Sequence, residues 1–276
     1  GFGTLYRARH CSLPRVAAIK VLRYDLSHDP TMLVRFEREA RALASLRHPN
    51  VVDIYDLGDL PDGRPYIVMQ WIDGCNLHEH IDRHGPLTLD RALAALAALG
   101  SALSAAHDAG VIHRDVKAAN VIGVQCGDLG TLKLVDFGIA KLQQATQTDG
   151  LVTSVGVRIG TPETMAPEQI LGREVDERVD VYALGLLFFQ LLTGRLPFER
   201  SDAIDLEELH LHGVRPNISA LAPVPKALDL VVRTALAVDP NARYGTVGEL
   251  VRAAHCAAGA TAPEQGPGVS IASRLN

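Results

Sequence analysis

The feature that most restricts what this chain can fold into is the string His113-Arg114-Asp115-Val116-Lys117-Ala118-Ala119-Asn120 and its setting. A carboxylate, an ammonium two residues on and a carboxamide five residues on stand between the apolar pairs Val111-Ile112 and Val121-Ile122. A solvated loop has no need of such flanks, so the pattern predicts a polar loop held rigidly by two short strands. Asp136-Phe137-Gly138 begins 21 residues after Asp115 and again puts an acid at the end of an apolar run, 132–135. A hairpin between the two strings would return the chain to one cleft. There Asp115 could accept a hydroxyl proton, Lys117 could contact phosphate, and Asn120 and Asp136 could offer oxygens to Mg²⁺, as phosphoryl transfer requires.

Around this centre the patterning changes character once. Residues 15–22 (RVAAIKVL) and 51–57 (VVDIYDL) read as strands, and Pro61-Asp62-Gly63 reads as a turn into a further strand, 65–70. One helix interrupts them. Asp29 can cap it and Pro30 can occupy its first position, and Leu33, Phe36, Ala40, Leu43 and Leu46 then fall on one stripe with Glu39 beside it. From Thr88, a cap candidate for a helix through His107, the pattern is helical, with further helices expected at 168–171, 179–192 and 227–237. A small β-rich half precedes a larger helical half. Beyond Ala257 the run TAPEQGPG reads as a linker or frayed tail.

Composition removes several function classes. The chain has 276 residues, and Lys+Arg 27 against Asp+Glu 32 leaves a net charge of −5, with no electrostatic footprint for nucleic acid or an anionic membrane. The longest uncharged stretch, 92–106, falls short of the roughly 20 apolar residues that cross a bilayer, so no span is expected. No basic and apolar leader opens the sequence, so no signal peptide is expected either. Cys11, Cys75, Cys126 and Cys256 are scattered without a C-x-x-C pair and read as reduced, cytoplasmic thiols. His78-Glu79-His80 and His210-Leu211-His212 lack the spacing of a zinc helix and read as solvated faces.

Two more strings complete a series. Val16-Ala17-Ala18-Ile19-Lys20 places a lysine near the end of an apolar strand, and Ala166-Pro167-Glu168 lies 28 residues past Gly138 beyond a hydroxyl-rich segment. Each is weak alone, whereas four ordered motifs at workable spacing do not recur by chance. Together they resemble the motif series of serine/threonine protein kinases, in the style of the Hanks-type kinases of bacteria, over residues 1–254. Asp180-Val181-Tyr182-Ala183-Leu184-Gly185 resembles the family's central helix, whose aspartate anchors the catalytic loop, and Arg243 resembles the arginine that pairs with the acid at Glu168.

The resemblance implies an α+β, bilobal kinase-like fold. A small β-rich N-lobe, lacking its first strand, would span about 1–69, a hinge about 70–73 and a larger helical C-lobe about 74–255, with 256–276 a linker or disordered tail. It implies ATP-dependent phosphorylation of protein serine and threonine hydroxyls, with Mg²⁺, or Mn²⁺, as the metal. Lys20, held by Glu39, would contact the α- and β-phosphates, and Asp136 with Asn120 would hold the metal. Asp115 would accept the hydroxyl proton and Lys117 would steady the γ-phosphoryl group. Backbone groups of Gln70 and Ile72 would bind the adenine edge, with Met69 behind it. Thr161 would shape the acceptor pocket. Arg114 implies control by phosphorylation of the segment after Gly138, with Lys141 assisting. Thr153 and Ser154 are the first candidates there, and Thr146 and Thr148 the next. A transient homodimer would serve autophosphorylation.

Some positions depart from the family pattern. Gly3 matches the third glycine of the phosphate-covering loop, but the first two glycines and the opening strand have no counterpart in the sequence, which begins at Gly1. Weak ATP binding by the chain is therefore expected. Leu5 replaces the usual valine and Thr164 an aromatic residue, and Gln70 and Trp71 are unusual at the hinge. A catalytically broken relative acting as a binding module would need to have lost Lys20, Asp115, Asn120 or Asp136, and all four are present. A small-molecule phosphotransferase would have no use for the 160–168 region.

Overall fold

A computed structural model of the chain describes residues 3–24, 30–124, 130–137, 162–199 and 205–259. The β-rich half is an antiparallel sheet of β1 (Gly3–Arg9), β2 (Val16–Leu22), β3 (Ile54–Asp59) and β4 (Pro65–Gln70), in the order β1-β2-β4-β3. β2 is central and buries Ala17, Ala18, Val21 and Leu22, while β1 forms one edge of the sheet and is largely exposed. Helix α1 (Pro30–Ser45) buries Phe36, Ala40 and Leu43, three positions of the expected stripe, and Leu33 and Leu46 pack against them. The expected cap, Asp29, lies outside the described residues.

The strand expected from residue 51 begins at Ile54 instead. Val51 bridges to Leu134, the Val52 N–H donates to Leu134 O (3.1 Å) and the Leu134 N–H to Asn50 O (2.8 Å), so these residues bond to the other half of the molecule. Asn50 Nδ2 adds a bond to Leu132 O (2.7 Å) and Lys133 Nζ one to Val51 O (2.9 Å). This seam ties the sheet to the strand that leads into Asp136.

The second half opens with β5 (Cys75–Asn76), α2 (Leu77–His84) and α3 (Leu89–Asp108). β6 (Val121–Gly123) lies between β5 and β7 (Leu132–Leu134) in a small antiparallel sheet. Of the two strands expected around the polar loop, the second forms, but Val111-Ile112 does not become a strand. Val111 is buried and donates its N–H to Ala106 O (2.9 Å), turning off the end of α3 rather than joining a ladder.

Four helices and the short α4 (Pro167–Ile170) follow: α5 (Arg178–Thr193), α6 (Leu206–His212), α7 (Ala227–Ala235) and α8 (Val247–Ala257). Helix α5 is buried nearly all round, as a helix at the centre of a domain must be. It packs against α3, α7 and α8, and small residues allow two close crossings in this core. At the α5–α7 crossing a Cβ on Gly185 would lie 2.8 Å from the Ala235 Cβ, and at the α3–α8 crossing one on Gly100 would lie 2.5 Å from Val251 Cγ2. By length and composition α3 is apolar enough to cross a membrane, but Ala92, Leu93, Leu96, Leu99 and Leu103 are buried in the helical core. Thr88 takes the cap position of α3 without a side-chain cap bond.

Candidate active site

The site is built outward from one buried carboxylate. Asp180, fully buried in the first turn of α5, accepts the backbone N–H groups of His113 and Arg114 (2.8 Å each) and the ring Nε2–H of His107 (2.7 Å). Burial alone would raise its pKa, but the hydrogen bond and charge of His107 and the bond from His113 hold it below the usual carboxylate range. Arg114, whose N–H is held by Asp180, has φ 62°, and Asp136 has φ 58°; among the described residues they are the non-glycine residues in the left-handed region. Both flank the cleft, where such strain is held by surrounding contacts.

His113, also fully buried, fixes the next residue. Its Nδ1 accepts the Asp115 N–H (3.2 Å) and its Nε2–H donates to Val135 O (3.1 Å), so the ring is neutral with its proton on Nε2. Its ring packs on Phe137 at 4.5 Å, joining the polar loop to the Asp136 segment. Burial lowers its pKa, against the opposing pull of Asp180 and Asp115. A histidine whose folded pKa lies below its unfolded value of about 6.5 binds its proton more readily in the unfolded chain. Stability is therefore expected to fall as pH drops below about 6.5. Melting temperatures measured between pH 8 and pH 5.5 should show that decline, and His113→Phe should flatten it. An unchanged slope in the variant would remove His113 as its source.

Asp115 is itself mostly buried. Asn120 Nδ2 donates to its backbone oxygen (2.8 Å) and to its Oδ2 (3.0 Å), and Lys117 Nζ stands 3.0 Å from that Oδ2. With its amide nitrogen committed to Asp115, Asn120 keeps its carboxamide oxygen as an acceptor. The Val135 N–H bonds Asn120 O (2.9 Å), and Asp136 follows directly.

Between the halves lies a cleft of about 640 Å³. Gly3, Lys20, Gln70, Ile72, Asp115, Lys117, Asn120 and Asp136 all line it, so these expected site residues, from five separate stretches of sequence, converge there. Ala18, Val52, Met69 and Ile122 give it apolar walls. Hard oxygen donors from one carboxylate and one carboxamide, Asp136 and Asn120, suit a small divalent cation such as Mg²⁺.

One expected contact differs. Lys20 pairs with Asp136, and Glu39 is not its partner. The Glu39 carboxylate, 5% exposed, lies 3.6 Å from Arg114 Nη1. A buried carboxylate needs a cation close by, and the guanidinium meets that need while the Lys20 ammonium is held by the nearer acid. Glu168 and Arg243 do pair, through two bonds of 2.7 Å. Thr153, Ser154 and Thr161, with Lys141, Thr146 and Thr148, lie outside the described residues.

Sequence reading missed two supporting residues. Gln169 accepts the Ala166 N–H (3.0 Å) and donates to Arg114 O (3.3 Å), linking α4 to the polar loop. It stands three residues after the N-cap Ala166, where a Gln side chain can reach back to the N-cap N–H, but alanine in place of Ser or Thr leaves the sequence signal incomplete. His107 lies at the end of the helix expected from Thr88, and its bond to Asp180 joins residues 73 apart and leaves no trace in local pattern.

The protein kinase domain family model matches residues 1–255. The chain is 38% identical over 247 residues to the serine/threonine-protein kinase pkn3 of Myxococcus xanthus, covering 88% of this chain and 45% of that protein. It is 40% identical over 256 residues to PknH of Mycobacterium tuberculosis (92% and 40%) and 37% identical over 251 residues to PrkC of Bacillus subtilis (91% and 38%). The chain thus spans less than half the length of these curated relatives. Among solved structures, the kinase domain of Mycobacterium tuberculosis PknI superposes with a TM-score of 0.70 at 32% identity, covering 93% of this chain and 92% of that one.

Proposed function

The chain belongs to the protein kinase family, among the serine/threonine kinases, and from that premise we propose that it transfers the γ-phosphoryl group of ATP to serine and threonine hydroxyls of proteins. The observation that supports this most is the convergence of Lys20, Asp115, Lys117, Asn120 and Asp136 on one cleft with apolar walls. In this reading residues 1–255 form the kinase domain, with the hinge near 70–73. The adenine lies between Ala18 and the hinge and bonds the backbone of Gln70 and Ile72. Gly3 and Lys20 face the phosphates.

Asp136 and the carboxamide oxygen of Asn120 would hold Mg²⁺. When bound, the metal would supply positive charge that offsets the negative charge developing in transfer. The protein's own groups do the remaining work. Lys20 exchanges Asp136 for phosphate oxygens. Asp115, fixed by Asn120 and His113, orients the acceptor hydroxyl and takes its proton, and Lys117 steadies the transferred group. Catalysis of this kind comes from positioning and charge stabilisation. Thr161 would border the acceptor pocket.

Regulation is part of the proposal. Arg114 holds Glu39 in this structure. A phosphate on Thr153 or Ser154, carrying about −1.5 to −2 charge, would compete for that guanidinium and let Glu39 turn to Lys20. The three cysteines among the described residues are unbridged, which suits a cytoplasmic domain with access to ATP.

Labelled ATP with Mg²⁺ and a generic basic protein tests the reading. Label is expected on serine and threonine of the acceptor, and mass spectrometry of the same enzyme is expected to find phosphate between 138 and 161. Transfer to a small molecule only, or none at all, would overturn the assignment. An active enzyme without phosphate in that segment would remove the regulatory part alone.

A further inference from the structure

The hinge carries a feature that the catalytic reading does not use. Trp71, the chain's only tryptophan, lines the cleft at the point where the two halves join. Its indole N–H donates to Asp73 Oδ1 (2.7 Å), and the Arg7 guanidinium stands 5.2 Å from the ring centroid. The indole is thus held from two sides, by a carboxylate on the hinge itself and by a cation from the edge strand β1.

The sheet register explains why that cation matters. Gly3, Leu5 and Arg7 fall on one face of β1, because side chains alternate along a strand. Gly3 and Leu5 both line the cleft. Arg7 pairs with Ala18 on β2, and Ala18 pairs in turn with Met69 on β4. Ala18 and Met69 are also cleft residues. β1 is an exposed edge strand whose ladder partner in the described sheet is β2. Its far end is therefore located by one ladder and by the stack on Trp71.

We infer that Arg7 is a positioning residue for nucleotide binding: by stacking on Trp71, itself oriented by Asp73, it fixes the gap between the Leu5–Ala18 roof and the hinge. The inference rests on the proposal that ATP occupies this cleft. An exposed cation–π contact of this type is expected to change binding about two- to fivefold, felt equally in the bound substrate and in the transition state. The effect should therefore appear in KM for ATP and leave kcat alone.

The test uses the full chain and its single tryptophan. Arg7→Ala is expected to raise KM for ATP about two- to fivefold at unchanged kcat, and to shift Trp71 emission to the red as the ring loosens into water. Arg7→Lys, which keeps a cation, is expected to recover part of both changes. Asp73→Asn should move the emission with little change in melting temperature. Arg7→Ala with wild-type KM and emission would overturn the inference. So would a lower melting temperature with KM unchanged, since that is what a purely structural role gives. A wild-type chain that shows neither ATP-dependent transfer nor ATP quenching of Trp71 would instead overturn the phosphotransfer reading itself, and the inference with it.

Discussion

Asp115→Asn is expected to lower kcat for transfer to a protein acceptor by roughly 10²–10⁴-fold, the range for loss of a positioned proton acceptor. ATP affinity should stay within about threefold, because the change removes a group whose contribution lies in the transition state. The substitution keeps the size and planarity of the side chain. It also keeps the bonds that set the loop, from the His113 and Arg114 N–H groups to Asp180 and from Asn120 to the Asp115 carbonyl. What is lost is the negative charge between Lys117 and Asn120 and the ability to take a proton. Nucleotide affinity can be read from Trp71 fluorescence and turnover from label transfer. A variant that retains more than about a tenth of wild-type turnover would mean that Asp115 is not the proton acceptor. A variant that loses ATP binding in step with turnover would point to collapse of the loop.

Much of this architecture was legible because its determinants are local. The stripe Phe36, Ala40, Leu43 and the turn Pro61-Asp62-Gly63 declare a helix and a hairpin over a few residues each, and both form as read. The order of the catalytic strings was likewise visible, because every group must reach one cleft. Partner choice among charges was not legible. Lys20 is a flexible ammonium expected to be held by Glu39; that it meets Asp136 instead is decided by the placement of α1 and of residues 135–137. Arg114, whose backbone at φ 62° is held by Asp180, reaches Glu39 instead. The strand expected at Val111-Ile112 failed for a related reason: two apolar residues after a helix can cap its end as readily as they can pair. The Val51 bridge to Leu134 and the tautomer of His113 depend on tertiary contact alone.

The largest effect on stability is expected at Arg243. Its guanidinium is fully buried and gives two 2.7 Å bonds to Glu168, whose side chain is 5% exposed. It also donates to the carbonyls of Ala237 (2.8 Å), Arg178 (3.0 Å) and Val238 (3.2 Å) and lies 4.8 Å over the Tyr182 ring. Arg243→Met keeps most of the volume but strands a buried carboxylate and three carbonyls. Breaking a buried pair in this way costs about 3–5 kcal/mol. At about 2–4 °C per kcal/mol for a domain of this size, melting should fall by roughly 6–20 °C. Replacing both partners removes the stranded charge, so Glu168→Met/Arg243→Met should lose less than the two single changes added together, giving a coupling of about 1–3 kcal/mol in a double-mutant cycle. The pair also sets function at a distance. Glu168 lies in the first turn of the short helix whose next residue, Gln169, holds the Arg114 carbonyl, so the single variants should lose turnover even at temperatures where they remain folded. The double variant tests whether the pair acts as a geometric fastener, for an apolar replacement can restore stability without restoring the angle at which α4 meets the catalytic loop. Additive effects in the cycle, or a loss under about 1 kcal/mol in Arg243→Met, would show that the surrounding helices hold α4 without it.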